Sequence, residues 1–229
     1  MAAYVLIHGA GSDSWYWHLV APELEGCGHE VVAPDLPCDD DSAGLDEYVD
    51  TVISAIGDRR DLVCVAQSLG GFTGPIVCER VPVNLLVMLN AMVPTPGESP
   101  GDWWGNTGHA EARREAAERE GRETGDDVDP LVDFFHDVPP DLTAVGMAGG
   151  KQQSGTPFAK PWPLAAWPDD PTRVLAARDD RFFPSAFQRR VSEERLGITP
   201  DEMPGGHLVA LSRPTEVAER LEAYRAEIS

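Results

Sequence analysis

The sequence predicts an α/β fold in which a mostly parallel sheet has helices on both faces and an insertion interrupts it before its closing units. Three observations predict it. Short apolar, β-branched runs alternate with amphipathic segments over roughly the first ninety residues, and the same rhythm returns near residue 171. Between the two lies a stretch rich in Pro, Gly, Trp and acid that breaks the alternation.

Strands are expected at residues 3–8, 30–33, 62–66 and 83–89, with helices between them at 15–24, 45–56 and 69–78. Continuously apolar strands joined by helical crossovers indicate a parallel sheet covered on both sides. The pattern resumes with a strand at 172–177, a helix at 184–196 and a final helix at 214–228. Residues 1–93 and 171–229 are therefore read as one core domain, and 94–170 as a cap inserted after the fourth strand. The cap contains one charged helix candidate, 109–120. Its acid-rich piece, 121–129, reads as a solvated loop, because it lacks the regular ligand spacing of a calcium loop. There are no internal repeats.

A chain of 229 residues with 42% hydrophobic composition suits one domain with a sizeable core and a modest insertion. No apolar run approaches the ~20 residues of a membrane-spanning helix. The first residues lack the basic region of a signal peptide, so a cytoplasmic location is expected. Cys27, Cys38, Cys64 and Cys78 match no zinc pattern and read as free thiols. A formal net charge of −21 repels phosphate backbones and anionic lipid, so neither nucleic acid nor membrane is an expected partner.

Four local features carry chemistry. In Leu62-Val63-Cys64-Val65-Ala66-Gln67-Ser68-Leu69-Gly70-Gly71 a buried strand ends, a serine follows, and two glycines open a helix. That is the arrangement of a nucleophile elbow, which needs small residues two before and two after the serine. Here these are Ala66 and Gly70. The Gly-rich loop His8-Gly9-Ala10-Gly11 ends the first strand, and the N–H groups of Ala10 and Leu69 are candidate oxyanion donors. His8 itself is expected to hydrogen-bond structurally within that loop. His207, in Pro204-Gly205-Gly206-His207 before the last helix, is the candidate base. A carboxylate follows the penultimate strand, in Arg178-Asp179-Asp180-Arg181-Phe182-Phe183-Pro184. Taken singly, each of these is a common turn or surface residue. Together, nucleophile, acid and histidine stand in the order Ser, Asp, His, each just past a strand's carboxyl end, where the loops of a parallel sheet meet.

With these residues the chain resembles the α/β-hydrolase superfamily, and within it the small plant methyl-salicylate-type and bacterial pyrethroid-type esterases. The resemblance rests on His8-Gly9-Ala10-Gly11 with Trp15 and Trp17, Gly28-His29, Ala33-Pro34-Asp35-Leu36-Pro37, and Ser68-Leu69-Gly70-Gly71. It continues in Asp180 with Pro184, and in Gly206-His207 with Leu211-Ser212-Arg213-Pro214. It implies a cofactor-free serine esterase with Ser68, Asp180 and His207 as catalytic triad and Ala10 and Leu69 as oxyanion hole. Asp180 is preferred to Asp179 because the family's acid stands four residues before a proline that opens the next helix, here Pro184. Asp35 is implied to stabilise its loop, and Cys38 replaces a common glycine. The cap aromatics Trp103, Trp104, Phe134, Phe158 and Trp162, with Phe135 and Trp167, are expected near a pocket for a small hydrophobic or aromatic ester. The same superfamily contains hydroxynitrile lyases, cofactor-free haloperoxidases, carbon–carbon bond hydrolases and triad-retaining receptors, so the fold leaves the reaction open. The lyases of the similar family have threonine at the position of Gly9 and lysine after the catalytic histidine, where this chain has Leu208.

Overall fold

The chain forms six strands: β1 (Ala3–Ile7), β2 (Glu30–Val32), β3 (Leu62–Gln67), β4 (Leu85–Leu89), β5 (Thr172–Ala177) and β6 (Asp201–Met203). They build one sheet in the order β2-β1-β3-β4-β5-β6, in which every neighbouring pair runs parallel. The computed structural model describes residues 1–123, 125 and 127–228. β1, β3 and β4 are buried at every position, as their apolar composition, broken only by Gln67 at the end of β3, requires.

Side chains alternate across the sheet and define two cores. Val5, Ile7, Cys64, Ala66, Leu86 and Met88 enter one, together with residues of α2 (Leu45–Ile56), α3 (Gly70–Arg80) and α8 (Ser185–Leu196). Tyr4, Leu6, Val63, Val65, Val87 and Leu89 enter the other, with residues of α1 (Val20–Gly26), the short α9 (Val209–Ser212) and α10 (Pro214–Glu227). Helices thus cover both faces.

Three expectations are corrected. Residues 15–24 do not make one helix: a 3-10 turn at Ser14–Trp17 precedes α1, and Asp13 caps the turn by accepting the Trp15 N–H at 3.0 Å. β6 was not foreseen, because two of its three residues are acidic and it lies at the sheet's edge. Pro184 is the cap residue before α8 instead of its first helical residue.

Between β4 and β5 the chain forms α4 (Pro100–Thr107), α5 (His109–Arg119), α6 (Pro130–Asp133), α7 (Pro140–Gly149) and a 3-10 turn at Thr156–Phe158. Only α5 was legible. Tertiary contacts pin the others: the Trp103 indole N–H donates to the Val93 carbonyl and that of Trp162 to the Phe72 carbonyl, both at 3.0 Å. A buried Arg113–Asp133 ion pair at 2.9 Å ties α5 to α6. α7 differs: none of its residues is buried, and Val145 and Met147 are exposed. In the acid-rich stretch, Thr124 and Asp126 lie outside the described residues, and most of the others face solvent. Among the described residues no helix is long and apolar enough to cross a membrane.

Candidate active site

Ser68 sits in the turn between β3 and α3 with φ +52°, a left-handed conformation that non-glycine residues adopt only when their surroundings impose it. Glycines let the chain pack closely around it here. A Cβ on Gly71 would lie 2.0 Å from the Met92 carbonyl oxygen, so helix and loop close this tightly only without a side chain. A Cβ on Gly74 would lie 2.8 Å from that of Ala66, which leaves residue 66 no room to grow. The small residues of the elbow thus have steric causes.

His207 comes from the loop between β6 and α9. Its Nε2 lies 3.1 Å from Ser68 Oγ and its Nδ1 2.8 Å from Asp180 Oδ2. The Nδ1–H donates to the carboxylate, which leaves Nε2 as acceptor for the serine hydroxyl. All three side chains are buried. Asp180 is held from the other side: its Oδ1 accepts the N–H groups of Phe182 and Phe183, each at 2.8 Å. The rings of Phe134, Phe182 and Phe183 surround the imidazole at centroid distances of 5.4, 5.1 and 5.0 Å. Asp179 is exposed and turns away, accepting the Gly205 N–H at 3.0 Å.

Sequence reasoning missed three further groups. Asn90 directly follows β4 in a left-handed conformation (φ +44°). Its amide donates to the carbonyls of Gly206 and His207 at 3.2 Å, and its carbonyl accepts the Ala177 N–H at 2.7 Å. One buried side chain thereby ties the end of β5, which leads to Asp180, to the loop that carries His207. A polar residue closing an otherwise apolar strand was the available signal. Gln67 adds a weaker bond to the His207 carbonyl at 3.4 Å. His109, from α5, sits among Trp103, Trp104 and three phenylalanines and bonds the Phe182 carbonyl at 2.7 Å, with burial holding its pKa below the ordinary histidine range.

The Gly-rich loop lies beside Ser68. His8 accepts the Leu36 N–H on Nε2 at 3.0 Å and bonds the Gly9 carbonyl through Nδ1 at 2.8 Å, and burial lowers its pKa. A neutral imidazole with both nitrogens in use is a structural bracket, as the sequence suggested. Asp35 accepts the Ser14 N–H at 2.8 Å. Cys38 is buried, with its thiol on the Ser12 carbonyl at 3.4 Å. The N–H groups of Ala10 and Leu69 have no hydrogen-bond acceptor among the described residues. Gly11 is fixed by Gln153 and by the Lys151 N–H, each at 3.0 Å.

Ser68 and His207 open into a cavity of about 700 Å³. Trp104, Phe134, Phe158 and Phe135 line it, together with Trp15 and Phe182. Trp103 and Trp162 do not reach the wall; the indole bonds to Val93 and Phe72 draw both rings into the core beneath it. Trp167 is likewise off the wall, donating to Thr172 Oγ1 at 3.1 Å. Lys151 is the one basic side chain among the lining residues besides His207.

A profile of the alpha/beta hydrolase family matches residues 4–220. Norfluorocurarine synthase 1 of a Strychnos species is 31% identical over 109 residues, 42% of this chain and 41% of that one. Methylesterase 3 of Arabidopsis thaliana is 30% identical over 113 residues, 44% of this chain and 43% of that one. Each match thus spans less than half of the relative's length. A crystal structure of a pyrethroid hydrolase from Sphingobium faniae JZ-2 superposes with a TM-score of 0.77 at 24% identity, covering 98% of this chain and 97% of that one. The profile spans nearly the whole chain, and the sheet order and elbow accord with it: the chain belongs to the alpha/beta hydrolase family.

Proposed function

We propose that the chain is a serine esterase that cleaves a small, hydrophobic or aromatic carboxylic ester, with residues 94–170 as the cap over its pocket. The observation that carries this reading is the unbroken chain of contacts from Asp180 to His207 to Ser68 Oγ, opening on a largely apolar cavity. Ser68 Oγ attacks the ester carbonyl as its proton passes to His207 Nε2, and Asp180 stabilises the imidazolium so formed. The N–H groups of Ala10 and Leu69 hold the oxyanion. The tetrahedral adduct collapses, the alcohol leaves with the proton from His207, and an acyl group remains on Ser68. Water then attacks, giving its proton to His207. The carboxylic acid departs and Ser68 recovers its hydrogen.

The names of the relatives support ester chemistry, since one is a methylesterase and a structural neighbour a pyrethroid hydrolase. Lyase chemistry is disfavoured at Gly9. A Cβ there would lie 2.5 Å from Gln67 Oε1 and 2.8 Å from Ser68 Cβ, so a threonine hydroxyl has no place. Leu208 likewise offers no cation. The test is a panel of p-nitrophenyl esters with a phosphonate probe. Ser68 should be the labelled residue, and Ser68→Ala should lower kcat by about 10⁴-fold or more with the fold intact. Labelling at another serine, or ligand binding without turnover by the unaltered protein, would overturn the reading.

A further inference from the structure

The cap also reaches the catalytic histidine from behind, by a contact that the mechanism above does not use. Asp137, in the turn after α6, accepts the Gly206 N–H on Oδ2 at 2.7 Å. A Cβ on Gly206 would lie 2.6 Å from Asp137 Oδ1 and 2.7 Å from His136 Cε1, so only glycine lets the carboxylate approach the histidine loop this closely. Asp137 Oδ1 is itself buried without a hydrogen-bond partner among the described residues. A carboxylate placed there at the cost of an unsatisfied buried oxygen does more than close a turn.

We propose that Asp137 is a positioning residue for the esterase reaction: it anchors the backbone next to His207 and places a second negative charge, beside that of Asp180, behind the catalytic imidazole. The inference rests on the triad reading above. Asp137 is well fixed for the role. Asp133, four residues earlier, is locked by Arg113, Val138 is buried in the core on the α10 side, and Phe134 both lines the cavity and packs on the His207 ring. A substrate pressing on Phe134 therefore touches the segment that holds Gly206. The phenol of Tyr16 feels the same charges: burial first, and then Asp180 and Asp137 together, raise its pKa.

The charged and titratable groups around His207 come from every packed element. Ser68 belongs to the elbow, and Asp179, Asp180 and Arg181 to the turn after β5. His109 comes from α5, Tyr16 from the first 3-10 turn, and His136 and Asp137 from the cap. Asp180 and Asp137 are the carboxylates bonded to the ring and to its neighbouring N–H, whereas Asp179 bonds one residue further away and is exposed.

Two variants separate anchor from charge. Asp137→Asn keeps an acceptor oxygen and removes the charge; Asp137→Ala removes both. The acidic limb of kcat/KM should move to lower pH by about half a unit or more in each variant, since a lost anion makes the imidazolium easier to deprotonate. kcat should fall by about tenfold in Asp137→Asn and further in Asp137→Ala, with KM within about threefold. The titration midpoint of the His207 imidazole, followed by NMR without substrate, should fall in parallel. An unmoved midpoint and acidic limb in Asp137→Asn, or a raised KM at unchanged kcat, would overturn the proposal and leave Asp137 a plain structural tie. The NMR readout needs no turnover, so it scores Asp137 even if the unaltered protein hydrolyses no ester, which would instead sink the esterase reading.

Discussion

At the scale of single residues, Asp179 and Asp180 are chemically identical neighbours, and geometry alone divides their work. Asp180 accepts from His207 and from two backbone N–H groups inside the protein, whereas Asp179 faces solvent and brackets Gly205. Asp180→Asn replaces an acceptor of the Nδ1–H with a group that can present a donor, and removes the charge opposite the imidazolium. It should reduce kcat by ~10⁴-fold. Asp179→Asn keeps an oxygen for Gly205 and should cost less than about tenfold. Measuring both folded variants on one ester decides it, and a crippled Asp179→Asn beside an active Asp180→Asn would reverse the assignment. The contact chain of Ser68, His207 and Asp180 was legible because its members are reactive residue types stationed past strand ends. Asn90, Gln67, His109 and Asp137 were not. They bond backbone groups of other loops, and even where a polar residue past an apolar strand marks Asn90, nothing local names a partner tens of residues away.

At the scale of elements, the strands buried on both faces and the strongly amphipathic α2 were readable, since burial writes its period into the residues. β6 and most of the elements between β4 and β5 were not, because their stability comes from contacts and not from pattern. Trp103 and Trp162 show how this misleads: their aromatic character suggested a pocket wall, yet an indole N–H that finds a buried carbonyl pulls the ring into the core. The most exacting junction is that of α3 with the loop after β4. Gly71 and Met92 both donate their N–H to the Ser68 carbonyl at 3.0 Å, and no room remains between them. Gly71→Ala must displace backbone and not merely a flexible side-chain end. It should destabilise the protein by about 3 kcal/mol or more in urea unfolding and depress kcat through the shifted elbow. A loss below ~1 kcal/mol with normal turnover would show that the junction yields more easily than its geometry says.

At the scale of the whole molecule, 39 acidic residues face 18 Lys and Arg, and the surplus opposes compaction. Salt should relieve that strain: between 20 and 300 mM NaCl at pH 8 the melting temperature should rise by ~5 °C. Acid should act in the opposite sense. Burial lowers the pKa of His8, His109 and His136. As pH falls, the unfolded chain therefore takes up protons before the folded one. Their contribution is complete above about pH 6.5 and is lost progressively below it, while most carboxylates stay ionised down to about pH 5. A grid of melting temperatures over pH 5–8 at both salt concentrations separates the effects; a melting temperature that climbs on acidification, or ignores salt, would contradict them. Of the 18 basic residues just two are lysines. Lys151 is on the cavity wall and Lys160 is exposed two residues past Phe158, itself a wall residue. Coupling through a lysine amine would therefore grip the molecule beside its own cavity, whereas coupling through its abundant carboxylates offers attachment points far from the mouth.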